Sequence, residues 1–140
     1  MSMETLKEGK SHISIVEEPI SLMNEAHEGS GSRVTFYGIV RPLEDGRKIL
    51  HIHYECYHEM AMKSLESIVR DAESRFHPDH VNVTHRIGDV KPGEESVVVD
   101  VFTSHRKDGF SCCSYIMDRI KKETPIWKCF YFLDGSSQWK

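Results

Sequence analysis

The segment from Tyr57 to Phe76 has apolar residues at the spacing of one helical face and charged residues opposite. It predicts an amphipathic helix that Pro78 ends, because the residue before a proline avoids the helical conformation. A helix of this kind must bury its apolar face against another element, and strand-like segments lie on both sides of it. The chain is therefore predicted to pack helices against a sheet. The apolar face consists of Ala61, Leu65, Ile68, Val69, Ala72 and Phe76.

Six other segments are rich in β-branched and aromatic residues or alternate in the manner of strands. Asp45-Gly46 is a strong turn signal, and it predicts that the segments on either side of it, Arg33–Arg41 and Lys48–Cys56, form an antiparallel pair. In the third segment we expect Leu50, Ile52 and Tyr54 on one face. The six segments are His12–Val16, Arg33–Arg41, Lys48–Cys56, Val81–Ile87, Ser96–Thr103 and Ile126–Leu133.

Two further helices are predicted. Pro19 suits the first turn of a short helix that runs to about Glu28. The segment from Asp108 to Lys122 predicts a longer one, with an inward stripe of Phe110, Cys113, Met117 and Ile120. Hairpins mixed with packed helices indicate the α+β class, with an antiparallel sheet.

The chain has 140 residues, which is enough for one domain with a sizeable core. We expect that domain to span residues 12–140, and residues 1–11 to be disordered because they offer little to bury. The formal net charge of −4 excludes a generally basic nucleic-acid binder. No apolar run approaches the roughly 18 residues of a membrane span, and the first residues lack a secretory signal. Four cysteines without a C-x-x-C pair favour a reduced, cytoplasmic protein.

Several basic residues occur where predicted elements end, although the chain as a whole is acidic. Arg41 closes a strand, His105 and Arg106 precede a helix, and Lys121 and Lys128 flank Pro125. If these side chains converge, they form a pocket for anions, to which a helix start adds backbone N–H donors. The alternative is that the helix dipole alone favours lysines at a helix C-terminus.

The histidines of one predicted strand suggest a second kind of site. His51 and His53 share a strand face, and Cys56 and His58 follow closely. Zinc accepts such ligands, but no second ligand pair occurs at a recognisable spacing. The same histidines also fit the solvent-facing half of an amphipathic strand. A metal- or thiol-dependent protein is therefore the weaker hypothesis.

Seven short motifs occur in a fixed order over most of the chain, and together they resemble the catalytic (large) subunit of molybdopterin synthase. P-I-W-K, behind a lysine-ended helix, is the most specific of them. The motifs are F-Y-G-I-V-R (36–41), E-D-G-R (44–47), Y-E-C-Y-H-E-M-A (54–61), H-R-I-G (85–88), P-G-E-E-S-V-V-V (92–99), S-H-R (104–106) and K-K-E-T-P-I-W-K (121–128).

The resemblance implies an α/β hammerhead fold and a homodimer at the centre of a heterotetramer. Each half binds a small ubiquitin-like sulfur carrier, whose C-terminal thiocarboxylate enters a pocket of the large subunit. Two such sulfurs convert cyclic pyranopterin monophosphate (precursor Z) into the dithiolene of molybdopterin. The reaction needs no metal and no other cofactor, and the implied partners include neither nucleic acid nor a membrane.

The resemblance also assigns roles to individual residues. Lys121 matches the catalytic lysine, and Lys128 matches the second essential lysine, which is a substrate ligand. Arg41, His105 and Arg106 are implied to hold the phosphate and the pterin.

The chain departs from the family beside these residues. Cys129 and Phe130 stand at substrate-lining positions where Lys-Glu is common, so only their backbone is expected to carry the role over. Pro42 follows Arg41 where Asn or Asp is frequent. The apolar residues 130–133 are expected to pack on the carrier or the dimer mate, and residues 134–140 to form a polar tail. A non-catalytic docking module for a ubiquitin-like partner is the alternative that these departures leave open.

Overall fold

The computed structural model describes residues 3–7, 11–21 and 29–140. These residues form two sheets and two helices. In chain order the elements are β1 (Met3–Lys7), β2 (Ser11–Val16), β3 (Ser32–Ile39), β4 (Leu43–Glu44), β5 (Arg47–Cys56), α1 (His58–Phe76), β6 (His80–Arg86), β7 (Gly88–Val90), β8 (Glu95–Thr103), α2 (Arg106–Glu123), β9 (Ile126–Phe132) and β10 (Ser137–Trp139).

The first sheet has the strand order β1-β2-β6-β8-β3 and is antiparallel except for the β2–β6 pair. Its strand β8 is buried along nearly its whole length, because it has neighbours on both edges and α2 packs on it. Val97, Val99 and Val101 of β8 join the core together with the apolar face of α1. The α+β class is confirmed, with one parallel pair in an otherwise antiparallel arrangement.

The second sheet has the order β10-β9-β5-β4, and β7 also pairs with β5. The predicted turn is present, since Asp45 and Gly46 both have positive φ, of 52° and 76°. Such backbone angles suit a two-residue hairpin. The turn joins β5 to the short β4, however, and the predicted pairing of segments 33–41 and 48–56 is wrong. β3 pairs with β8 and β5 pairs with β9, because each long strand finds an apolar partner in its own sheet.

The predicted face of the third strand segment is partly wrong. The register of β5 against β9 shifts between Ile49 and His51. A bulge of this kind turns the chain by one residue, so that Ile49 enters the core and Leu50 is 49% exposed. Ile52 and Tyr54, beyond the bulge, are buried as predicted.

Both long helices are confirmed, with one correction to an inward face. α1 ends at His77, whose left-handed backbone places its N–H on the carbonyl of Glu73 at 3.1 Å. In α2 the buried side chains include Cys112, Cys113, Ile116 and Ile120, whereas Phe110 is 61% exposed. The inward face of α2 is rotated from the predicted one because Gly109, rather than Phe110, lies against the sheet.

The chain ends differ from the sequence-based expectations. Met3–Lys7 is a strand rather than disordered, because its backbone pairs with the edge of β2. The last residues form β10 on β9, and Phe130 and Phe132 of β9 are buried in the chain's own core. The predicted helix from Pro19 to Glu28 lies mostly outside the described residues, and residues 19–21 are not helical.

One buried ion pair crosses the first sheet. Asp100 is fully buried and accepts hydrogen bonds from Arg33 Nε at 2.9 Å and Nη2 at 3.0 Å. Thr35 and Asn82 donate to the same carboxylate at 2.8 and 3.2 Å. Burial alone raises the pKa of Asp100, but these donors outweigh it and hold that pKa below its ordinary value.

We predict that Arg33→Ala lowers the free energy of unfolding at pH 7 by about 2–3 kcal/mol, because it leaves a buried carboxylate without its charged donor. Since the pKa of Asp100 is depressed in the folded state, the full contribution of the pair to stability is present above the unfolded pKa of 3.8 and is lost progressively as the pH falls below it, through the lower folded-state pKa. Urea unfolding should therefore show the gap between variant and parent closing as the pH falls below about 4. Arg70→Ala, on the exposed side of α1, is the control. A gap that is absent at pH 7, or independent of pH, would contradict this account.

Candidate active site

A pocket of about 830 Å³ opens where the two sheets and α2 meet. β3 and β8 form one wall, β4, β5 and β9 form another, and one face of α2 forms the third. Three cations, Arg41, Lys121 and Lys128, line this mixed surface together with the carboxylates Glu44 and Asp118. The pocket therefore has the composition of a site for an anion that also carries an apolar or ring portion.

α2 brings Lys121 to the pocket by its periodicity. Ser114, Met117, Asp118 and Lys121 are spaced three or four residues apart, so they share one helix face, and all four line the pocket. Ile120 is buried and fixes the last turn, while Lys121 itself is exposed. Lys122 points about 100° away and is not among the lining residues.

β9 brings Lys128 to the pocket from the opposite wall. Side chains alternate along a strand, so Lys128 and Phe130 face the pocket and Cys129 faces away. Lys128 is partly buried. Burial lowers its pKa first, and the charges of Lys121, Arg41 and Lys140 lower it further, whereas Glu44 raises it.

Glu44, which lines the pocket, and Lys140, which lies beside it, were not among the site residues predicted from the sequence. Glu44 accepts hydrogen bonds from Arg41 Nη2 at 2.8 Å and from Lys140 Nζ at 2.6 Å. The ammonium groups of Lys140 and Lys128 lie 5.2 and 5.5 Å from the centre of the Phe130 ring. The only sequence signal for Glu44 is the E-D-G-R motif, whose turn residues indicate a hairpin and not a binding site.

Two predicted site residues lie elsewhere in the chain. His105 is the N-cap of α2 and Arg106 is its first residue, and both are exposed. They stand at the opposite end of the helix from Lys121, about 22 Å away along its axis at 1.5 Å per residue. The five basic residues therefore do not all converge within one chain. Arg41, Lys121 and Lys128 converge, as does Phe130, but Cys129 is buried with its side chain turned away.

The histidines of β5 pair with carboxylates. His53 Nδ1 lies 2.6 Å from Asp89 Oδ1 and its Nε2 lies 3.2 Å from Glu55 Oε1, while His51 stacks on Tyr131. The hydrogen bond with Asp89 raises the pKa of His53 most, burial opposes it, and Glu55 raises it again. In the described part of the chain no three His, Cys, Asp or Glu side chains form a group that could hold a metal ion. The metal hypothesis built on His51, His53, Cys56 and His58 gains no support.

Comparison with known proteins shows the family of the chain. The sequence model of the MoaE protein family matches residues 10–123. The molybdopterin synthase catalytic subunit of Pyrococcus abyssi is 38% identical over 128 residues, which cover 86% of this chain and 85% of the relative. The X-ray structure of molybdopterin synthase from Staphylococcus aureus has a TM-score of 0.85 at 31% identity, covering 97% of this chain and 98% of that one.

A chain in a complex of subunits 1 and 2 of molybdopterin-converting factor from Helicobacter pylori shares the fold. Its TM-score is 0.67 at 22% identity, with coverage of 80% of this chain and 73% of that one. Fold and pocket thus define an α+β protein with a basic pocket between its sheets. The chain belongs to the MoaE family, to which molybdopterin synthase catalytic subunits belong. Within the residues that the structure describes, neither helix is long and apolar enough to cross a membrane.

We predict that the cysteines nearest the pocket are poor nucleophiles. Burial raises the pKa of Cys113, which lines the pocket, to about 11, and that of Cys112 to about 12. Iodoacetamide at pH 7.5 should therefore leave both thiols unmodified in the folded protein, while the partly exposed Cys56 reacts faster. Mass spectrometry of peptides before and after denaturation provides the measurement. Rapid labelling of Cys113 in the folded protein would mean that the pocket holds an active thiol.

Proposed function

We propose that this chain is the catalytic subunit of a molybdopterin synthase. It transfers sulfur from the thiocarboxylated C-terminus of a small ubiquitin-like carrier to cyclic pyranopterin monophosphate, and two transfers form the dithiolene of molybdopterin. The observation that carries the proposal is the convergence of Arg41, Lys121 and Lys128 on one pocket in a chain of the MoaE family.

The charges of the reactants explain why such a pocket is needed. The pterin substrate carries a phosphate, and the carrier tail carries a thiocarboxylate, so both bring negative charge to one place. Two like charges at 4 Å repel by about 4 kcal/mol at an effective dielectric constant of 20. Fixed cations offset this repulsion, and they are already in position before the reactants meet.

The two lysines have different surroundings and are proposed to have different roles. Lys121 is exposed on the pocket face of the last turn of α2, where the carrier tail can meet its ammonium without a lone buried charge. It polarises the acyl group from which sulfur departs. Lys128 is partly buried and binds the substrate. Its lowered pKa also makes it release a proton more readily than an ordinary lysine.

His105 and Arg106 are proposed to serve the pocket of a second copy of the chain. Their separation from Lys121 along α2 prevents both groups from touching one substrate within a single chain. In a homodimer the exposed start of α2 can face the partner's pocket and add an arginine, a histidine and backbone N–H donors for the phosphate. The two copies with two carriers then make the proposed heterotetramer.

The departures from the family leave the enzyme favoured over the docking module. Cys129 turns its side chain away from the pocket, so only its backbone can contact a substrate. Phe130 contributes a ring beside two ammonium groups, and both lysines remain in place. We also propose that the protein acts in the cytoplasm, which suits the four free cysteines of the structure.

We predict that Lys121→Arg keeps the fold and carrier binding but loses most molybdopterin formation, because a planar guanidinium spreads the compact charge with which the ammonium polarises the acyl group and cannot donate a proton to it. Lys121→Ala should behave similarly. The matched control is Lys122→Ala, which removes a lysine one residue away, outside the pocket, and should be nearly silent. Single-turnover conversion with thiocarboxylated carrier in excess measures both. An inactive Lys122→Ala with a normal Lys121→Arg would show that the catalytic role belongs to the other lysine.

Mixed dimers test whether Arg106 acts on the partner's pocket. We predict that Arg106→Ala and Lys121→Ala chains are each inactive alone but regain about a quarter of parental activity when co-expressed and randomly paired. Half of the dimers are then mixed, and each mixed dimer holds one pocket with both residues. If Arg106 serves its own chain, every pocket in the mixture lacks one residue and no activity returns.

A further inference from the structure

A carboxylate on the β4–β5 hairpin links a cation that lines the pocket with a second cation beside it. Glu44 accepts from Arg41 Nη2 through Oε1 at 2.8 Å and from Lys140 Nζ through Oε2 at 2.6 Å. Its side chain is 14% exposed, whereas that of Arg41 is 76% exposed. The exposed arginine therefore forms an ion pair with a carboxylate that is mostly removed from water.

The hairpin fixes where this carboxylate lies. Glu44 pairs with Arg47 across a two-residue turn, in which Asp45 and Gly46 both have positive φ. Such a turn allows few alternative positions for its flanking residues. Asp45 also accepts from Lys140 Nζ, at 3.0 Å, but its side chain is 76% exposed and does not line the pocket.

The pKa of Lys128 depends on several charged groups around the pocket. Lys121, Arg41 and Lys140 are cations that disfavour its charged form, and burial adds to their effect. His85 behind it is neutral at physiological pH, because burial lowers its pKa to about 4. Glu44 is the carboxylate whose charge opposes them. The groups that face Lys128 or share its pocket are Lys121 and Asp118 of α2, Arg41, Glu44, Tyr54 of β5, His85 of β6, and Lys140.

We propose that Glu44 is a positioning residue of this site. It pairs with Arg41, which lines the pocket, and with Lys140 beside the pocket, and its negative charge offsets the cations that surround the Lys128 ammonium. The inference deepens the proposed function, since it concerns the same pocket, but its test does not depend on turnover. The geometric basis for it is that Glu44 forms ion pairs both with Arg41, three residues before it, and with Lys140, 96 residues after it.

The test is an NMR titration of the Lys128 side chain. The Cε resonance of Lys128, assigned by its loss in Lys128→Arg, is followed against pH in the parent protein and in Glu44→Gln. Glutamine keeps the size and an acceptor oxygen for Arg41 but removes the charge. We expect the titration midpoint of Lys128 to fall by about half a pH unit or more in Glu44→Gln.

Asp45→Asn is the matched control. Asparagine tolerates a left-handed backbone, so it keeps the turn while removing a carboxylate that touches Lys140 but not Arg41. Its Lys128 midpoint should stay within about 0.2 units of the parent's, as expected for a distant, solvent-screened charge. An unchanged midpoint in Glu44→Gln, or an equal fall in both variants, would overturn the inference. A shifted midpoint in a protein that forms no molybdopterin would contradict the proposed function and leave this inference intact.

Discussion

The arrangement of the site depends on how closely α2 approaches the first sheet. At Gly109 a side-chain carbon would lie 2.9 Å from Val34 Cγ2 and 3.0 Å from Thr103 Oγ1, so no larger residue fits without movement. This contact fixes the helix on β3 and β8. The last turn of α2 is then held at the pocket, where Lys121 emerges, and Phe110 is turned to the pocket rim. A helix seated further out would bring neither residue to the pocket.

The second constraint is electrostatic, because several cations share one partly buried pocket. Such a cluster is unfavourable in the absence of a ligand, and the structure offsets it with Glu44 and with the ring of Phe130. This repulsion favours the binding of two anionic reactants, since each of them relieves repulsion among the cations. Because Lys121 is exposed and Lys128 is partly buried, the two lysines of this pocket can have different roles.

The sequence was sufficient to predict the features that depend on local periodicity. The helix α1, most strand positions and the turn at Asp45-Gly46 follow from spacing and turn chemistry. Strand partners were not predictable, because pairing depends on the whole sheet, and the Asp45-Gly46 turn proved to join β5 to β4 rather than to β3. The bulge that exposes Leu50 and the seating of Gly109 that exposes Phe110 are equally non-local. In the pocket, the resemblance predicted Arg41, Lys121 and Lys128, and the structure brings these three together, whereas Glu44 and Lys140 lie 96 residues apart in the chain and meet only after folding.

The central claim is that this chain moves sulfur from a carrier to a pterin rather than merely holding a carrier. The direct measurement combines the chain with a thiocarboxylated ubiquitin-like carrier and cyclic pyranopterin monophosphate, and follows both by mass spectrometry. The account predicts that two carriers lose sulfur and end in ordinary carboxylates for each dithiolene-bearing pterin that forms. A stable complex in which the carrier keeps its thiocarboxylate and the pterin gains no sulfur would contradict it, and would favour the docking module.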